Sequence, residues 1–431
     1  MPGRTNRYPV LKGREKADVA IVGGGLSGLA TAVWLSRAGL RVALAEANAI
    51  GSGTTKACAG LVSLGGISYA RLIKRIGKTG TEAYLSTNTR AFQLLKEWLE
   101  PLHMWRQQEV HLLFSGGKQE LDEERSAQET LGIKGTSCTR LQNLYTISIP
   151  DSALIPARPY LRMLLETAEE LGVKPFEQSR VLSMETNEIH TQSGSISAPY
   201  VVVTTGYPVL NSPGYYFLWL TQKHYAWKQL LPGMFDGVIA EDGGETVAIS
   251  HGEHNRLICQ CGLTGSRKSL CIANQAEERM KAIAGVRAVG EWHYSSDVFT
   301  PDGLPVISAY TPKTPGLFVA SGYGGRGILG SILCAQFISS RILGLPCDEY
   351  SIYDGSRFWK QPWPALCTAG RYLKSVCFHA RAPRCPHLGC RLILNARTKL
   401  WECPCHGSCF DDIGHVVRSP AVREAVLRDR K

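Results

Sequence analysis

The chain has 431 residues, 44% hydrophobic and 20% charged, which excludes disorder and collagen-like repetition and exceeds what one hydrophobic core organises, so two or three units are expected. Basic side chains outnumber acidic ones 48 to 37, a formal charge of +11, densest at 371–399 and 418–431. This pattern suits solubility or docking of an acidic partner or anionic substrate and gives no sign of nucleic-acid readout.

Near the start, Lys12, Arg14 and Lys16 precede a largely apolar run from Val19 to Leu35, the outline of an export signal. Gly23 to Gly25 interrupt it and would break a spanning helix. No other stretch approaches the roughly 18 uninterrupted apolar residues of a transmembrane helix. A cytoplasmic protein is expected, with peripheral membrane contact left open. Asp18 to Val22, DVAIV, reads instead as a short buried strand and Leu26 to Ala38 as a helix closed by Gly39. Between them Gly23, Gly25 and Gly28 form G-x-G-x-x-G: a tight turn, a close approach for pyrophosphate and close packing of helix on strand, with the first helical amides binding phosphate. A second strand, Arg41 to Ala45, ends on Glu46, eighteen residues after Gly28, where a carboxylate can accept hydrogen bonds from a ribose diol. The motif alone does not separate FAD from NAD.

The next segment, IGSGTTKACAGLVS from Ile50 to Ser63, resembles the second flavin-contacting loop of the glycine/D-amino-acid oxidase family. Ser52, Gly53, Thr54 and Thr55 occupy the places that in the family run beneath the isoalloxazine and diphosphate. The opening YPVLKGREKADVAIVGGG is similar to the leader of its amine-oxidising members. The resemblance returns at Asp151 to Leu171, a strand and helix leading back to the flavin domain, and at YVVVTTG, which ends on Gly206 where the chain closes over the nucleotide. It returns again at TPDGLPVI, Thr300 to Ile307. After LFVAS, Gly322, Gly324 and Gly327 make a second G-x-G-x-x-G. Its helix, Ile328 to Leu343, is not followed by a strand ending in an acid, so no nicotinamide site is inferred. In the family this loop and helix start face the flavin pyrimidine and stabilise negative charge there. One FAD is expected.

The intervening segments, about 67–150 and 207–297, should form the family's substrate cap. They hold helix-like TEAYLSTNTRAFQLLKEWLE and an aromatic run, YYFLWLTQKHYAW. Lys223, His224, Tyr225 and Arg326 are candidates to line the flavin's substrate face; ordinary surface or core packing is the competing reading for each. A flavin oxidation needs little beyond a hydride donor held in place, so no dedicated catalytic acid or base is required.

Six of the fourteen cysteines lie between Cys377 and Cys409; the others are scattered and read as buried thiols. Cys385-x-His387 and Cys403-x2-His406, with fifteen residues between the pairs, offer one thiolate and one imidazole from each of two loops. That suits a two-iron cluster with both cysteines on one iron and both histidines on the other, and with a potential above that of four-cysteine clusters. Two Cys and two His are also a tetrahedral zinc set, although zinc-finger spacing usually pairs like with like.

All four positions match the Rieske [2Fe-2S] family. By that resemblance, Cys390 and Cys405 stand where members of the cytochrome-complex type carry a disulfide, Ser408 where a serine donates to a bridging sulfide, and Phe410 where the highest-potential members have tyrosine. An intermediate potential is implied. Only 26 residues separate Phe358 from Cys385, fewer than the family's β-sheet base. This leaves open a unit that leans on the flavin domain and one that holds its cluster poorly.

The resulting expectation is an α/β plus α+β chain. A doubly wound, Rossmann-like FAD domain with an antiparallel-sheet cap fills 1–358, with FAD-binding parts about 16–66, 151–206 and 298–345. A linker, 359–384, and a small all-β Rieske unit, 385–431, follow. This order resembles a bacterial group of FAD-dependent oxidoreductases with a C-terminal Rieske domain. The resemblance implies oxidation of a small amine or amino acid at a C-N bond, with electrons passing through the [2Fe-2S] cluster to an external acceptor. Two alternatives stand beside it: an oxygen-using flavin oxidase with a structural metal site, and a non-catalytic redox-responsive binding protein.

Overall fold

Four segments, Val19–Val22, Val42–Ala45, Tyr200–Val203 and Leu317–Ser321, are apolar at nearly every position and buried along almost their whole length. Strands of that kind belong in a parallel sheet covered on both faces. In the computed structural model they lie adjacent in a six-stranded sheet. Its order is Lys174–Phe176, Val42–Ala45, Val19–Val22, Tyr200–Val203, Leu317–Ser321 and Val306–Ala309, parallel throughout except for the last edge strand. The structure describes residues 7–64, 67–114, 117–134, 137–141, 144–185, 187–209, 219–231, 236–241, 246–251, 254–263, 268–311, 314–360, 362–377, 382–395 and 399–427.

Helices Leu26–Arg37, Ala157–Glu170 and Gly327–Leu343 cover one face of this sheet, where Leu29, Leu35, Leu164, Ile332 and Ile338 form its core. The other face is covered by a four-stranded sheet of Gly13–Lys16, Gly194–Ser197, Glu188–His190 and Ser183–Glu185, whose Ile189 and Ile196 pack with Ala20 and Val201. The expected helix around 81–100 is the second part of Tyr69–Leu99, which is interrupted at Gly77, φ +74°. Its first turn is held by the buried Glu124, which accepts from Ser68 Oγ at 2.6 Å and from the Tyr69 and Ala70 amides at 3.1 and 3.0 Å. A carboxylate there also meets the positive end of the helix dipole.

The cap is an eight-stranded sheet in the order Ala288–Phe299, Thr221–Leu230, His254–Leu263, Thr246–His251, Gly237–Glu241, Val110–Phe114, Leu144–Ile149 and Ser137–Leu141. It is antiparallel except where Gly237–Glu241 runs parallel to Val110–Phe114. That pair joins the two halves of the cap, which are distant in sequence.

The stretch expected as a linker carries a helix, Pro362–Cys377. Its Ala365 packs into the core beneath the flavin sheet, and its Tyr372 against the core of the C-terminal unit. It therefore joins two cores rather than tethering them. The C-terminal unit is an antiparallel sheet of Ile393–Leu394, Trp401–Glu402, Cys409–Phe410 and Val416–Arg418. Among the described residues no helix is long and apolar enough to cross a membrane.

Candidate functional site

The first glycine turn is built so that side chains cannot enter it. A Cβ on Gly28 would lie 2.0 Å from Gly23 O, and one on Gly23, at φ +111°, would lie 2.8 Å from Thr204 O. Thr204 Oγ in turn donates to Val22 O and Gly23 O, both at 3.1 Å. Gly25 precedes the helix Leu26–Arg37 with extended backbone and no side-chain cap, so the first amides face outward as donors, a set suited to a diphosphate. Glu46 Oε2 accepts from the Gly24 amide at 2.8 Å and its Oε1 from Asn48 at 2.9 Å. Burial pushes this carboxyl up and the two amides oppose it. Each oxygen keeps a lone pair for a ribose hydroxyl.

Ser52, Gly53 and Thr54 are exposed on the following loop, and Thr55 Oγ lies 3.4 Å from the Leu26 amide. Thr54 Oγ donates to Ser296 O at 3.2 Å, fastening this loop to the cap. Gly206 takes φ +78° with open space around it. In the second glycine loop, Gly322 and Gly324 have φ +76° and +57° and crowd Thr300 and Phe299, while Gly327 opens the helix Gly327–Leu343. The Gly325 amide is fixed by Asp297 Oδ2 at 2.7 Å. Burial pushes the Asp297 carboxyl up, against the Gly325 and Val298 amides and the Arg326 charge.

The cap candidates converge on this second loop. Thr221–Leu230 pairs with Ala288–Phe299 in regular register from Thr221 opposite Phe299 to Trp227 opposite His293. Strand alternation therefore puts Lys223, Tyr225 and Trp227 on one face with Asp297 and Phe299, and Gln222 and Ser296 on the other. Lys223 Nζ lies 4.6 Å from the centre of the Phe299 ring, and the Tyr225 ring lies 5.9 Å from it at a tilt of 37°. Burial pushes the Tyr225 hydroxyl up. Arg326 donates to Gly303 O. The His224 side chain lies outside the described residues, as does the start of the aromatic run.

Residue-type reasoning missed Arg256. It lies on His254–Leu263, 3.1 Å from Cys58 O in the flavin loop and 4.8 Å over the Trp227 ring. Among the described residues no carboxylate lies within 4.0 Å of it. No local motif marks it, because antiparallel pairing across the cap brings it there.

The cluster loops are two copies of one turn. In the first, Cys385 N donates to Cys390 O at 2.8 Å and Gly389 N to Cys385 O at 2.8 Å; in the second, Cys403 N donates to Ser408 O at 2.8 Å and Gly407 N to Cys403 O at 2.9 Å. Gly389 and Gly407 share left-handed φ, +76° and +79°. The turns bring Cys385 and Cys403 into thiol contact and the His387 and His406 rings to 5.2 Å. Cys403 and His406 are fully buried. Contact with Cys403 holds the Cys385 thiol down, helped by the His387 amide and Ser408. Burial, then His406, lowers His387 to about 4, keeping it neutral as a metal requires, and its Nδ1 is buried with no hydrogen-bond partner among the described residues. Two converging thiols and two clustered imidazoles, that of His387 held neutral, fit a mixed Cys/His iron-sulfur centre. Ser408 Oγ accepts from the Ala421 amide at 3.0 Å, leaving its hydrogen for a sulfur. Cys390 and Cys405 stand as thiols, their sulfurs within 4.8 Å of each other and of Cys403, and Cys390 donating to Cys405 holds Cys405 down. The bridge implied by resemblance is thus not formed here; bonding would draw these sulfurs to about 2.05 Å.

Residues 18–341 match the family model of the FAD dependent oxidoreductases. The chain belongs to that family. Residues 372–428 match the Rieske [2Fe-2S] domain, so this FAD-dependent oxidoreductase carries a Rieske domain at its C-terminal end. It is similar along its length to the putative Rieske 2Fe-2S iron-sulfur protein YhfW of Bacillus subtilis, 23% identical over 96% of this chain and 94% of that one. In fold it is similar to glycine oxidase from Geobacillus kaustophilus, 19% identical over 79% of this chain and 98% of that one with a TM-score of 0.65. L-proline dehydrogenase from P. horikoshii gives the same TM-score, with 17% identity, 80% of this chain and 99% of that one. The Rieske match begins inside the helix Pro362–Cys377.

Proposed function

We propose that the enzyme oxidises the C-N bond of a small amino acid, or of an amine bearing another anionic group, and passes the electrons to an external acceptor through a cluster held by Cys385, His387, Cys403 and His406. Arg256 carries the substrate half of this reading. It is a half-buried guanidinium beside the flavin loop, with no carboxylate near it among the described residues. Burial pushes its pKa down, and the positive field of Arg158 adds to the effect. A desolvated cation so placed favours an incoming carboxylate, which arginine can bind through two parallel hydrogen bonds. The glycine and proline in the names of the two solved neighbours agree with a small amino acid.

When bound, FAD supplies a hydride acceptor and the cluster single-electron carriage. Around them the chain binds and orients. Gly23, Gly25, Gly28 and the first amides of Leu26–Arg37 hold the diphosphate and Glu46 the ribose. Ser52, Gly53, Thr54, Thr55 and Gly206 line the nucleotide. Gly322 and Gly324 turn the second loop, whose Gly324 and Gly325 amides are tied to Val298 O and Asp297, so that the helix start at Gly327 would bring its first amides to where negative charge develops. Lys223, Tyr225 and Phe299 wall the substrate face, and Arg256 fixes the carboxylate. Removal of hydride from the neutral amine takes two electrons and leaves an iminium ion, which water hydrolyses to a carbonyl and ammonium (or an alkylammonium); two single-electron passages to the acceptor, with one proton released to solvent, complete the balance.

Anaerobic mixing of the holoenzyme with small amino acids and with the matching decarboxylated amines tests this. Amino acids should bleach the flavin. Arg256→Ala should raise the concentration for half-bleaching by roughly ten- to a hundredfold, the scale of a charge-assisted hydrogen bond worth ~1.5–3 kcal/mol. Equal bleaching by the amines, unchanged in the variant, would remove the carboxylate role; no bleaching across the panel would remove the reading as a whole.

A further inference from the structure

The strand pair that faces the flavin loop on one side faces the cluster on the other. Gln222 is buried, and its amide, oriented to satisfy both ends, accepts from Ser296 Oγ at 2.8 Å and donates to His406 O at 2.7 Å. Ser296 O accepts from Thr54 Oγ of the flavin loop at 3.2 Å. Three hydrogen bonds, joined through the covalent frames of Ser296 and Gln222, therefore run from Thr54, a proposed flavin contact, to the main-chain carbonyl of His406, a proposed cluster ligand. The fit at the far end is tight: a Cβ built on Gly407 would lie 2.5 Å from Gln222 Cδ. Alongside runs a second connection. Thr204 bonds the first glycine turn, and three residues on Tyr207 meets the His406 ring edge-on at 5.9 Å. Arg180 adds a third tie by donating to Val416 O at 3.2 Å.

The two imidazoles are covered unequally. His406 is fully buried, its ring against Tyr207 and its main-chain carbonyl bonded by Gln222, whereas His387 is only partly covered. We infer that Gln222 is a positioning residue that holds the second cluster loop on the flavin half, so that the His406 side of the cluster faces the flavin and the His387 side faces the external acceptor. This rests on the reading that flavin electrons leave through the cluster. Electron transfer is faster along covalent and hydrogen bonds than across gaps, so the bonded chain favours the His406 side as the entry. One electron leaves reduced flavin and one enters the cluster at each passage, and over the two passages the flavin's proton is released to solvent.

The test is flash reduction of the flavin in full-length holoprotein by an external photoreductant, following the electron's arrival at the cluster. No substrate needs to be known. Gln222→Ala should slow the arrival roughly tenfold, the scale of one lost hydrogen bond in the docked population. The cluster's EPR line shape and midpoint potential should stay unchanged, and amide hydrogen exchange at 403–408 should rise. Ser296→Ala, which touches neither the cluster nor the carbonyl that Thr54 bonds, should slow arrival less and keep the iron even if Gln222→Ala loses it. Transfer in the wild type that both variants leave unaltered would overturn the docking and spare the proposed function. Absence of transfer in the wild type would overturn both.

Discussion

The flavin half and the cluster unit obtain their shapes by different means. The flavin half is built around two extended cores, with strands buried on both faces and helices apolar nearly all round. Among the described residues the cluster unit has eight buried core residues, Cys385, Cys390, Leu392, Cys403, Cys409, Phe410, Ala421 and Ala425, and four of the eight are cysteines. Little apolar area is left there once the sulfurs are set aside, so ligation and contact with the larger half must do what burial does elsewhere. Of the two readings left open by the short approach to Cys385, this geometry supports the unit that leans on its neighbour.

The comparison would break most openly at a ligand. Cys403→Ser should abolish the cluster and raise amide exchange across 385–427 while leaving 19–22 and 200–203 protected; loosening of both halves together would show that they share one folding unit. Next in size is the buried ion pair of Asp302 with Arg357, 2.6 Å apart, where Arg357 also donates to Leu304 O and Pro305 O. Asp302→Ala should lower the stability of the flavin half by ~3–5 kcal/mol, measured by denaturant titration, with the cluster's EPR signal intact. Gly28→Ala forces a Cβ against Gly23 O and should cost ~1–3 kcal/mol by overpacking, with faster release of FAD on dilution. Smallest is Phe410→Tyr. A hydroxyl beside the cluster should raise the midpoint potential in an EPR-monitored titration without changing iron content; an unchanged potential would place residue 410 outside the cluster's hydrogen-bonding environment.

The parts legible in the sequence are those that one local segment completes. Gly23, Gly25 and Gly28 share a single strand, turn and helix, and each cluster loop closes on itself within six residues through its own backbone hydrogen bonds. Ligand types at short spacing therefore announced both sites. Arg256, Gln222 and Ser296 carried no such signal. Gln222 and Ser296 are 74 residues apart, and only the register of Thr221–Leu230 on Ala288–Phe299 brings them together. The helix Pro362–Cys377 was hidden for another reason. Its buried positions serve two different cores, so its apolar pattern does not describe one face.

That same register limits how this protein can change over generations. Ser296 and Asp297 are consecutive and point to opposite sides of the sheet, one toward Gln222 and the cluster loop, the other toward the Gly325 amide. Shifting a strand by one residue exchanges its two faces. A single-codon insertion or deletion between 294 and 296, inside the regular register, would thus unseat the loop anchor and the cluster tether in the same event, whereas substitutions can alter them one at a time and the irregularity between Val289 and His293 can take up a change of length. In this end of the strand the chain is free to vary in spelling but not in length.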